Sequence, residues 1–430
     1  MSPSQRLASA INARPGELAA ALCGFALFFC LFAGYFMLRP IREAMGILGG
    51  VENLQWLFSA TFLAMLVTVP LFAWVNSRVP RRRYLDWVYG FFALNLVGFA
   101  ALFQAGESVW GGRVFYVWIS VYNLFVVSVA WSLMADVFDT LQARRLFPFI
   151  AAGASCGGLA GPALGALLVA PLGQGGLTLL AAGLLAVTLL AKHYLMAWRE
   201  TRGAGRPGAP PSESPARPVL GNPFSGILLV LRSPYLLAVG AFVILLATAS
   251  TFLYFEQARL VAASFPERAA QIRVFSLLDF AVQALSLAAQ LFIAGRLAER
   301  HGPRVLLAGV PALVCLGFLA LALAPTFTVL AVVMVLRRVG EYAFVRPGRE
   351  MLFAPLDAHS KYKAKNFIDT VVYRAGDALS AWAKALLDGL GAGVLLAALA
   401  GAGCAALWGA LGWYLGGRQP TRPAADAPQA

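Results

Sequence analysis

Long apolar segments alternate with short polar segments along almost the whole chain. Each apolar segment has about 18 to 24 residues, and a helix needs about 20 of them to cross the roughly 30 Å hydrocarbon core of a bilayer. Lipid tolerates no unpaired backbone group, so each segment predicts a helix. The pattern therefore predicts an all-α integral membrane protein with twelve spans, at 18–38, 54–75, 84–103, 114–134, 147–170, 177–198, 235–255, 275–294, 305–323, 327–344, 367–387 and 394–415.

Arginine and lysine concentrate in alternate loops. They precede span 1 and follow spans 2, 4, 6, 8, 10 and 12, whereas the loops after spans 5, 9 and 11 carry none. The loop after span 7, with three arginines, is the exception. Basic residues near span ends are retained on the cytoplasmic side, so this alternation predicts that both termini are cytoplasmic. The first span lacks a cleavage site and predicts a retained helix, in a bacterial inner membrane protein.

A break in composition divides the spans into two groups of six. From Thr201 to Pro218 the chain is Gly, Ala, Pro, Ser and Arg with no large apolar residue, which predicts a flexible linker. We expect an N-terminal six-helix bundle at 1–200, a cytoplasmic linker at 201–222, a C-terminal six-helix bundle at 223–417 and a disordered tail at 418–430. Two parallel repeats around a central site are typical of secondary transporters.

Charge and cysteine content exclude several other classes of protein. The net charge of +14 lies mostly in loops beside the membrane, which indicates lipid and not nucleic acid as the partner. The five cysteines have no metal-type spacing and are predicted to be small buried hydrophobes. There is no G-x-x-x-x-G-K-[ST] phosphate loop and the three histidines are isolated, so we expect no enzyme activity, cofactor or metal. The glycines of 153–165 predict close helix packing.

Charged residues inside the predicted spans are the main candidates for function, since a charge at membrane depth needs a partner or a water-filled cavity. Span 10 contains Arg337, Arg338 and Glu341. Glu341 is four residues from Arg337 and three from Arg338, so an ion pair on one helical face is expected. Two arginines against one glutamate leave a positive surplus.

Spans 8 and 11 carry polar stripes at steps of three and four residues. Arg374 lies three residues before Asp377 on span 11. A cavity lined by Arg337, Arg338 and Arg374 suits an anionic substrate, with the acids as gates or proton carriers. The alternative is that these charges pair with one another and only fix helix packing. The stripes comprise Asn366, Asp369, Tyr373, Asp377, Ser380 and Lys384 on span 11, and Asp279, Gln283, Ser286 and Gln290 on span 8.

The loop after span 8 reads G-R-L-A-E-R-H-G-P-R at 295–304. It resembles the G-x-L-A-D-R-x-G-x-R signature of the major facilitator superfamily. Its glycines are expected to let the chain turn tightly, and Glu299 and Arg300 are candidates for a breakable lock between helix ends. The alternative is an ordinary basic loop that obeys the charge rule.

Three segments together resemble a narrower family, the bacterial and plastid ATP/ADP translocases. The segment R-E-M-L-F-A-P-L-D at 349–357, with K-Y-K-A-K at 361–365 and I-D-T-V at 368–371, is similar to that family's K-E-M-A-Y-I-P-L-D-x-x-x-K-x-K-x-K-x-x-I-D-V-V. The run Y-F-M-L-R-P-I-R-E at 35–43 resembles its Y-x-x-L-R-x-x-K-D. The residues A-D at 135–136 and A-R-R-L-F-P at 143–148 resemble its A-N and E-A-K-R-F-Y-P.

This resemblance implies nucleotide exchange, typically ATP for ADP, on a major-facilitator scaffold. Arg42 stands at the family's first-helix lysine, and Asn123 stands at its fourth-helix glutamate. Asp377 stands at the lysine of its R-x-G-K motif, a reversal of two unit charges that matters for a polyphosphate ligand. Candidate substrate-binding residues are Arg39, Arg42, Glu43, Asn123, Arg337, Arg338, Arg374 and Asp377, and candidate coupling or gating residues are Asp279, Glu341, Asp369, Glu299, Arg300, Lys363 and Lys365.

Three functions remain open at this point. The first is exchange of a nucleotide-like organic anion held by the arginines while the two halves rock about the site. The second is proton-coupled transport of a different solute, with Asp369, Asp377 or Glu341 as the titrating group. The third is a non-transporting membrane scaffold, which polar residues at depth in several spans disfavour. We expect the protein to work as a monomer.

Overall fold

A computed structural model describes residues 6, 8–9, 11–78, 81–203, 226–354, 356–391 and 393–418. Helices are the only regular secondary structure in these residues. Most of the predicted linker and all but the first residue of the predicted tail lie outside the described residues. In chain order the helices are α1 (Leu18–Leu48), α2 (Leu54–Arg78), α3 (Arg81–Ala105), α4 (Val109–Val137), α5 (Thr140–Gly203), α6 (Ile227–Arg232), α7 (Pro234–Ser264), α8 (Arg268–Ala289), α9 (Gly295–Leu323), α10 (Phe327–Gly340), α11 (Arg346–Leu352), α12 (Ala358–Phe367), α13 (Tyr373–Gly389) and α14 (Val394–Gly417).

Eight helical stretches of the described chain are long and apolar enough to cross a membrane. Two of them, Thr140–Thr201 with 62 residues and Arg268–Leu323 with 56 residues, each contain two of the predicted spans. The segments predicted as spans 10 and 11 are not among the eight, and both carry several charged residues. The twelve-span layout and the cytoplasmic termini stay predictions.

Glycines with a left-handed backbone mark the turns within the two longest stretches. Gly173 (φ 64°) separates the two halves of α5, and Gly302 (φ 66°) interrupts α9. An L side chain is strained at such angles, so glycine is the residue that fits. The turn expected in the loop after span 8 is confirmed at Gly302. Gly295, in contrast, has helical angles and continues the helix.

The chain forms two compact units, and α2 and α8 each contribute to both. Unit 1 consists of 1–49, 71–220 and 266–280. Within it, α1 packs against α4 and α5, and α3 also packs against α5. An aromatic cluster between α3 and α4 fills part of the core, with the rings of Phe92, Phe99, Phe115, Trp118 and Tyr122 in stacked and edge-on contacts.

The contact of α1 with α5 depends on glycine. A Cβ atom added at Gly153, Gly157 or Gly161 would overlap a backbone carbonyl oxygen of α1, at Phe25, Phe29 and Ala33 in turn. Residues four apart lie on one face of a helix, so the three glycines form one smooth face. The close packing predicted from this glycine-rich segment is confirmed.

Glu17 anchors the start of α1. Its buried carboxylate accepts hydrogen bonds from the guanidinium of Arg145 at 3.1 Å, from Gln142 Nε2 at 3.1 Å and from the Arg14 N–H at 2.9 Å. Burial by itself raises the pKa of Glu17, but these hydrogen bonds outweigh burial and lower it. These hydrogen bonds therefore stabilise the fold fully when the pH is above 4.5, the ordinary carboxyl pKa. The stabilisation is lost as the pH falls through the lowered pKa of Glu17.

Unit 2 consists of 50–70, 221–265 and 281–430. Its strongest packing joins α9 to α14, with further contacts of α7 with α13 and α14. Trp408 of α14 is almost fully buried against Phe242 of α7, and Gly412 approaches the Leu307 backbone of α9. In contrast to these apolar contacts, most of the charged residues of the unit lie between the start of α10 and the end of α13.

The cysteines differ in part from the prediction. Cys30 is buried, whereas Cys156 is exposed. Cys156 lies on α5, whose sequence is apolar on all sides, so the pattern alone could not tell its protein-facing side from its outer side.

We predict that Gly157→Ala destabilises the protein by about 1 to 3 kcal/mol, because the new methyl group must displace the α1 backbone. Gly183→Ala on the same helix is the matched control, since Gly183 has open space at its Cβ position. Thermal unfolding of the purified variants in detergent measures the difference. Equal melting temperatures for the two variants would contradict the packing argument.

Candidate functional site

Three helices of unit 2 contain a wider π-helical turn close to a polar candidate residue. The described chain has these turns at Gln290–Ala294, Glu341–Val345 and Ile368–Val372. They contain Gln290, Glu341 and Asp369, all of which belong to the polar positions selected from the sequence. Such turns are rare and occur frequently at functional sites, because they change the direction of side chains without ending the helix.

Pro347 explains the turn at Glu341–Val345. Proline has no N–H, and its ring clashes with the carbonyl four residues earlier in an α-helix. The chain widens here, so that the Arg346 N–H donates to the Glu341 carbonyl five residues back. The Tyr342 carbonyl accepts a hydrogen bond from Gln290 Nε2 at 3.2 Å, which ties the end of α8 to this turn.

Glu341 lies at the centre of a cluster of arginines. Its Oε2 is 3.0 Å from Arg337 Nη1, and its Oε1 is 3.5 Å from Arg346 Nη2. Arg337 Nη1 also donates to Ser250 Oγ of α7 at 2.7 Å. Arg337 and Arg338 are buried, as is Glu341. The predicted Arg337–Glu341 pair is present, and Arg346 joins it from beyond the predicted end of span 10.

A second set of ion pairs connects α11 to the segment that follows it. Arg349 Nη2 is 3.1 Å from Asp369 Oδ1, and Lys365 Nζ is 2.6 Å from Glu350 Oε1. Lys363 is half-buried on α12, where its carbonyl lies against Gly226. Asp369 and Lys365 are thus brought close to the end of α11, whereas Lys363 contacts Gly226 through its backbone.

The polar stripe of α13 faces protein. Asp377, Ser380 and Lys384 are buried. Arg374 Nη1 is 3.4 Å from Asp377 Oδ2, so the predicted pair three residues apart is present. Thr248 and Ser380 share a hydrogen bond of 2.8 Å between their hydroxyls.

Lys384 is the most deeply placed charge of this stripe. Its Nζ lies 3.2 Å from Glu256 Oε1 and 2.6 Å from Asp388 Oδ1. Glu256 is also paired with Arg259 through Oε2, at 2.7 Å. The four residues balance two cations against two anions and connect α7 to α13.

Unit 1 holds the remaining candidate substrate-binding residues. Arg39 Nε lies 3.8 Å from Asp279 Oδ2, which connects α1 to the part of α8 that belongs to this unit. Arg42 pairs with Glu43 at 3.1 Å and lies over the ring of Tyr116, 4.0 Å from guanidinium carbon to ring centroid. Asn123 is half-buried on α4, next to the buried Tyr122.

Glu299 and Arg300 are exposed on the first turns of α9. Neither belongs to an ion pair within the part of the chain that the structure describes. Their proposed role as a lock between helix ends stays a prediction.

Two members of the cluster were not selected as site residues from the sequence. Arg349 counted only as part of a basic loop and of the family resemblance, and Arg346 was assigned no role, because both lie beyond the predicted end of span 10. Pro347 was the available signal, since a proline inside a helical segment indicates a local change in hydrogen bonding. It predicts a distortion but not which side chain the distortion brings to Glu341.

The arrangement has the chemistry of a site for a small polar solute. Guanidinium groups donate several hydrogen bonds in a fixed plane and suit carboxylate or phosphate. No cluster of metal-binding side chains occurs among the described residues. The fold and the charges inside its helices define an integral, multi-pass helical membrane protein that handles small solutes.

Sequence comparison gives the family. The chain belongs to the major facilitator superfamily, whose family pattern matches residues 22–345. The family and the fold indicate a secondary transporter rather than an enzyme. No curated protein matches the sequence.

Solved transporter structures share the fold over nearly the whole chain. A POT family peptide transporter has 14% identity and a TM-score of 0.64, covering 95% of this chain and 99% of that one. The nucleoside transporter NupG has 15% identity and a TM-score of 0.63, covering 94% and 99%. A bacterial homologue of the human lysosomal transporter Spinster has 14% identity and a TM-score of 0.60, covering 95% and 98%. At these identities the similarity shows the fold alone.

We predict that Glu341→Gln destabilises the protein by about 3 kcal/mol or more, because it removes the counter-charge of the buried Arg337. Glu299→Gln, at an exposed position of the same unit, should change stability by less than about 0.5 kcal/mol. Thermal unfolding in detergent compares the two. A Glu341→Gln variant that melts with the wild type would show that the pair contributes nothing to folding.

Proposed function

We propose that the protein exchanges an organic anion resembling a nucleotide across the membrane by alternating access. The observation that carries this proposal is the excess of arginine around Glu341. Arg337 and Arg346 pair with this carboxylate, Arg338 is buried on the same helix, and Arg349 nearby on α11 pairs with the second acid, Asp369. Four cations against two anions favour a negatively charged ligand.

The resemblance to the ATP/ADP translocases supports the nucleotide class. It is strongest at 349–371, the segment that contains the Arg349–Asp369 and Lys365–Glu350 pairs. The family's paired arginine and lysine on the next helix are here Arg374 and Asp377, which form an ion pair with no net charge. A less cationic helix suits a ligand with fewer negative charges than ATP, so nucleoside mono- and diphosphates are the preferred candidates.

In unit 1, Arg39, Arg42, Glu43 and Asn123 are the proposed contributors to the substrate site. Arg39 and Arg42 each lie beside a carboxylate, at 3.8 Å and 3.1 Å. A ligand anion would replace such a carboxylate as the partner of the arginine. Asp279, Glu341, Asp369, Glu299, Arg300, Lys363 and Lys365 are the proposed coupling or gating residues.

The proposal includes the layout expected from the sequence. Two six-helix bundles, 1–200 and 223–417, would rock about the site, connected by the cytoplasmic linker at 201–222. Both termini would be cytoplasmic in a bacterial inner membrane, and the transporter would act as a monomer.

A second candidate is proton-coupled transport of a different solute. It is favoured by the candidate acids that lie beside arginines, namely Asp369, Asp377 and Glu341. A carboxylate that loses its arginine to a substrate is no longer stabilised in the charged form and takes up a proton more readily. Substrate binding would then drive protonation.

We predict that liposomes containing the purified protein accumulate labelled ADP or AMP only when nucleotide is present inside them. Exchange returns one anion for each anion taken up, so the requirement for internal substrate should hold with or without an imposed pH gradient. Liposomes without protein are the control. Absence of ATP, ADP and AMP uptake by folded protein would overturn the nucleotide assignment.

The variant Asp377→Asn separates the two candidates. For anion exchange, removing one negative charge from the Arg374–Asp377 pair should strengthen nucleotide binding and leave uptake insensitive to the pH gradient. For proton coupling, the same change should abolish gradient-driven uptake. Uptake measured at several imposed gradients distinguishes the outcomes. Glu267→Gln, which removes an acid at an exposed position outside the candidate site, is the charge-matched control.

A further inference from the structure

Arg346 differs from the other arginines around Glu341 in its exposure and in its contact. Its side chain is 58% exposed, compared with 10% for Arg337. Its Nη2 lies 3.5 Å from Glu341 Oε1, whereas Arg337 lies 3.0 Å from Oε2. Arg346 is therefore the more weakly held and the more exposed of the two cations.

Glu341 can lose Arg346 and keep a counter-ion. The two arginines bind different carboxylate oxygens, so the contact of Arg337 does not depend on that of Arg346. Removing the last partner of a buried charge is strongly destabilising, but removing one of two leaves the charge compensated. Arg337 and Arg338 are buried, and Arg337 is the cation that keeps Glu341 paired.

A tyrosine positions Arg346 without occupying its hydrogen-bond donors. The guanidinium carbon lies 4.5 Å from the ring centroid of Tyr342, one turn earlier. A cation–π contact uses the face of the guanidinium, and the N–H donors at its edge remain available to an oxyanion. The π-helical turn, set by Pro347 and bonded to Gln290, fixes where Tyr342 and Arg346 lie.

We propose that Arg346 is the residue that binds the phosphate group of the substrate, exchanging Glu341 Oε1 for two phosphate oxygens. The inference rests on the proposed function, and it narrows the substrate class to phosphate-bearing solutes. Guanidinium and phosphate match in a bidentate geometry that a lysine cannot reproduce. Glu341 acts as the internal substitute for the phosphate when the site is empty.

The test is equilibrium binding of ADP, pyrophosphate and adenosine to the full-length protein in phosphatidylcholine nanodiscs, by isothermal titration calorimetry. Arg346→Gln should weaken binding of ADP and pyrophosphate about ten- to one-hundred-fold, the usual range for a lost charged hydrogen bond. Adenosine, which has no phosphate, should bind equally to both proteins. Arg346→Lys should be intermediate, since it keeps the charge and loses the planar pair of donors.

Arg418→Gln is the matched control. Arg418 is exposed and lies over the ring of Tyr414 one turn earlier, at 4.6 Å, and it has no carboxylate partner among the described residues. Its loss should leave ADP binding unchanged. Because Arg346 is largely exposed, Arg346→Gln should melt close to the wild type. If that variant does not fold, the intermediate affinity of Arg346→Lys tests the same point.

The outcomes separate this inference from the proposed function. Unchanged ADP affinity in Arg346→Gln, with uptake of ADP by the wild type, would overturn the role of Arg346 and leave the nucleotide function intact. A wild-type protein that binds neither ADP nor pyrophosphate would overturn both. A phosphatidylglycerol headgroup offers Arg346 the same phosphate chemistry as a solute. If adding this lipid to the nanodiscs abolishes the part of ADP binding that depends on Arg346, then Arg346 binds a lipid headgroup. That result would overturn the assignment to a solute.

Discussion

Charge among apolar helices is stable only where it has a partner, because moving an ion out of water costs several kcal/mol. This constraint determines which side chains meet in both units. Lys384 lies between Glu256 and Asp388, and the buried Lys192 Nζ of α5 lies 2.7 Å from Asp86 of α3. The Lys384–Glu256 and Lys192–Asp86 pairs connect helices that are distant in sequence, so they fix helix position as well as charge.

The distribution of these pairs gives the two parts of unit 2 different electrostatic characters. Around α10 and α11 the arginines outnumber the acids, whereas the charges of α13 balance. A helix whose charges balance contributes to packing and produces little electrostatic field. The region with excess arginine attracts anions. The major facilitator fold accommodates many solutes, so the class of transporter follows from the family and the choice of solute from such local charge.

Contacts within one helix could be predicted from the sequence, since residues three or four apart share a face. Arg337–Glu341 and Arg374–Asp377 are examples, as is the glycine face of α5. Arg39–Asp279 and Arg349–Asp369 join separate helices, and their meeting depends on packing that no local spacing encodes. Arg346 was missed for a different reason. The apolar pattern ended the span before it, and the widened turn that brings it back to Glu341 arises from the backbone of Pro347.

The glycine face of α5 also affects how firmly the arginines of α1 are held. The glycines of α5 have no side chain at the α1 backbone, so no rotamer is fixed there. Forming this part of the contact therefore loses no side-chain conformational entropy. The same contact cannot adapt by rotamer changes, so α1 and α5 are expected to move as one body. Arg39 and Arg42, on α1, are therefore carried together with α5, and within unit 1 their reach changes only through their own side chains.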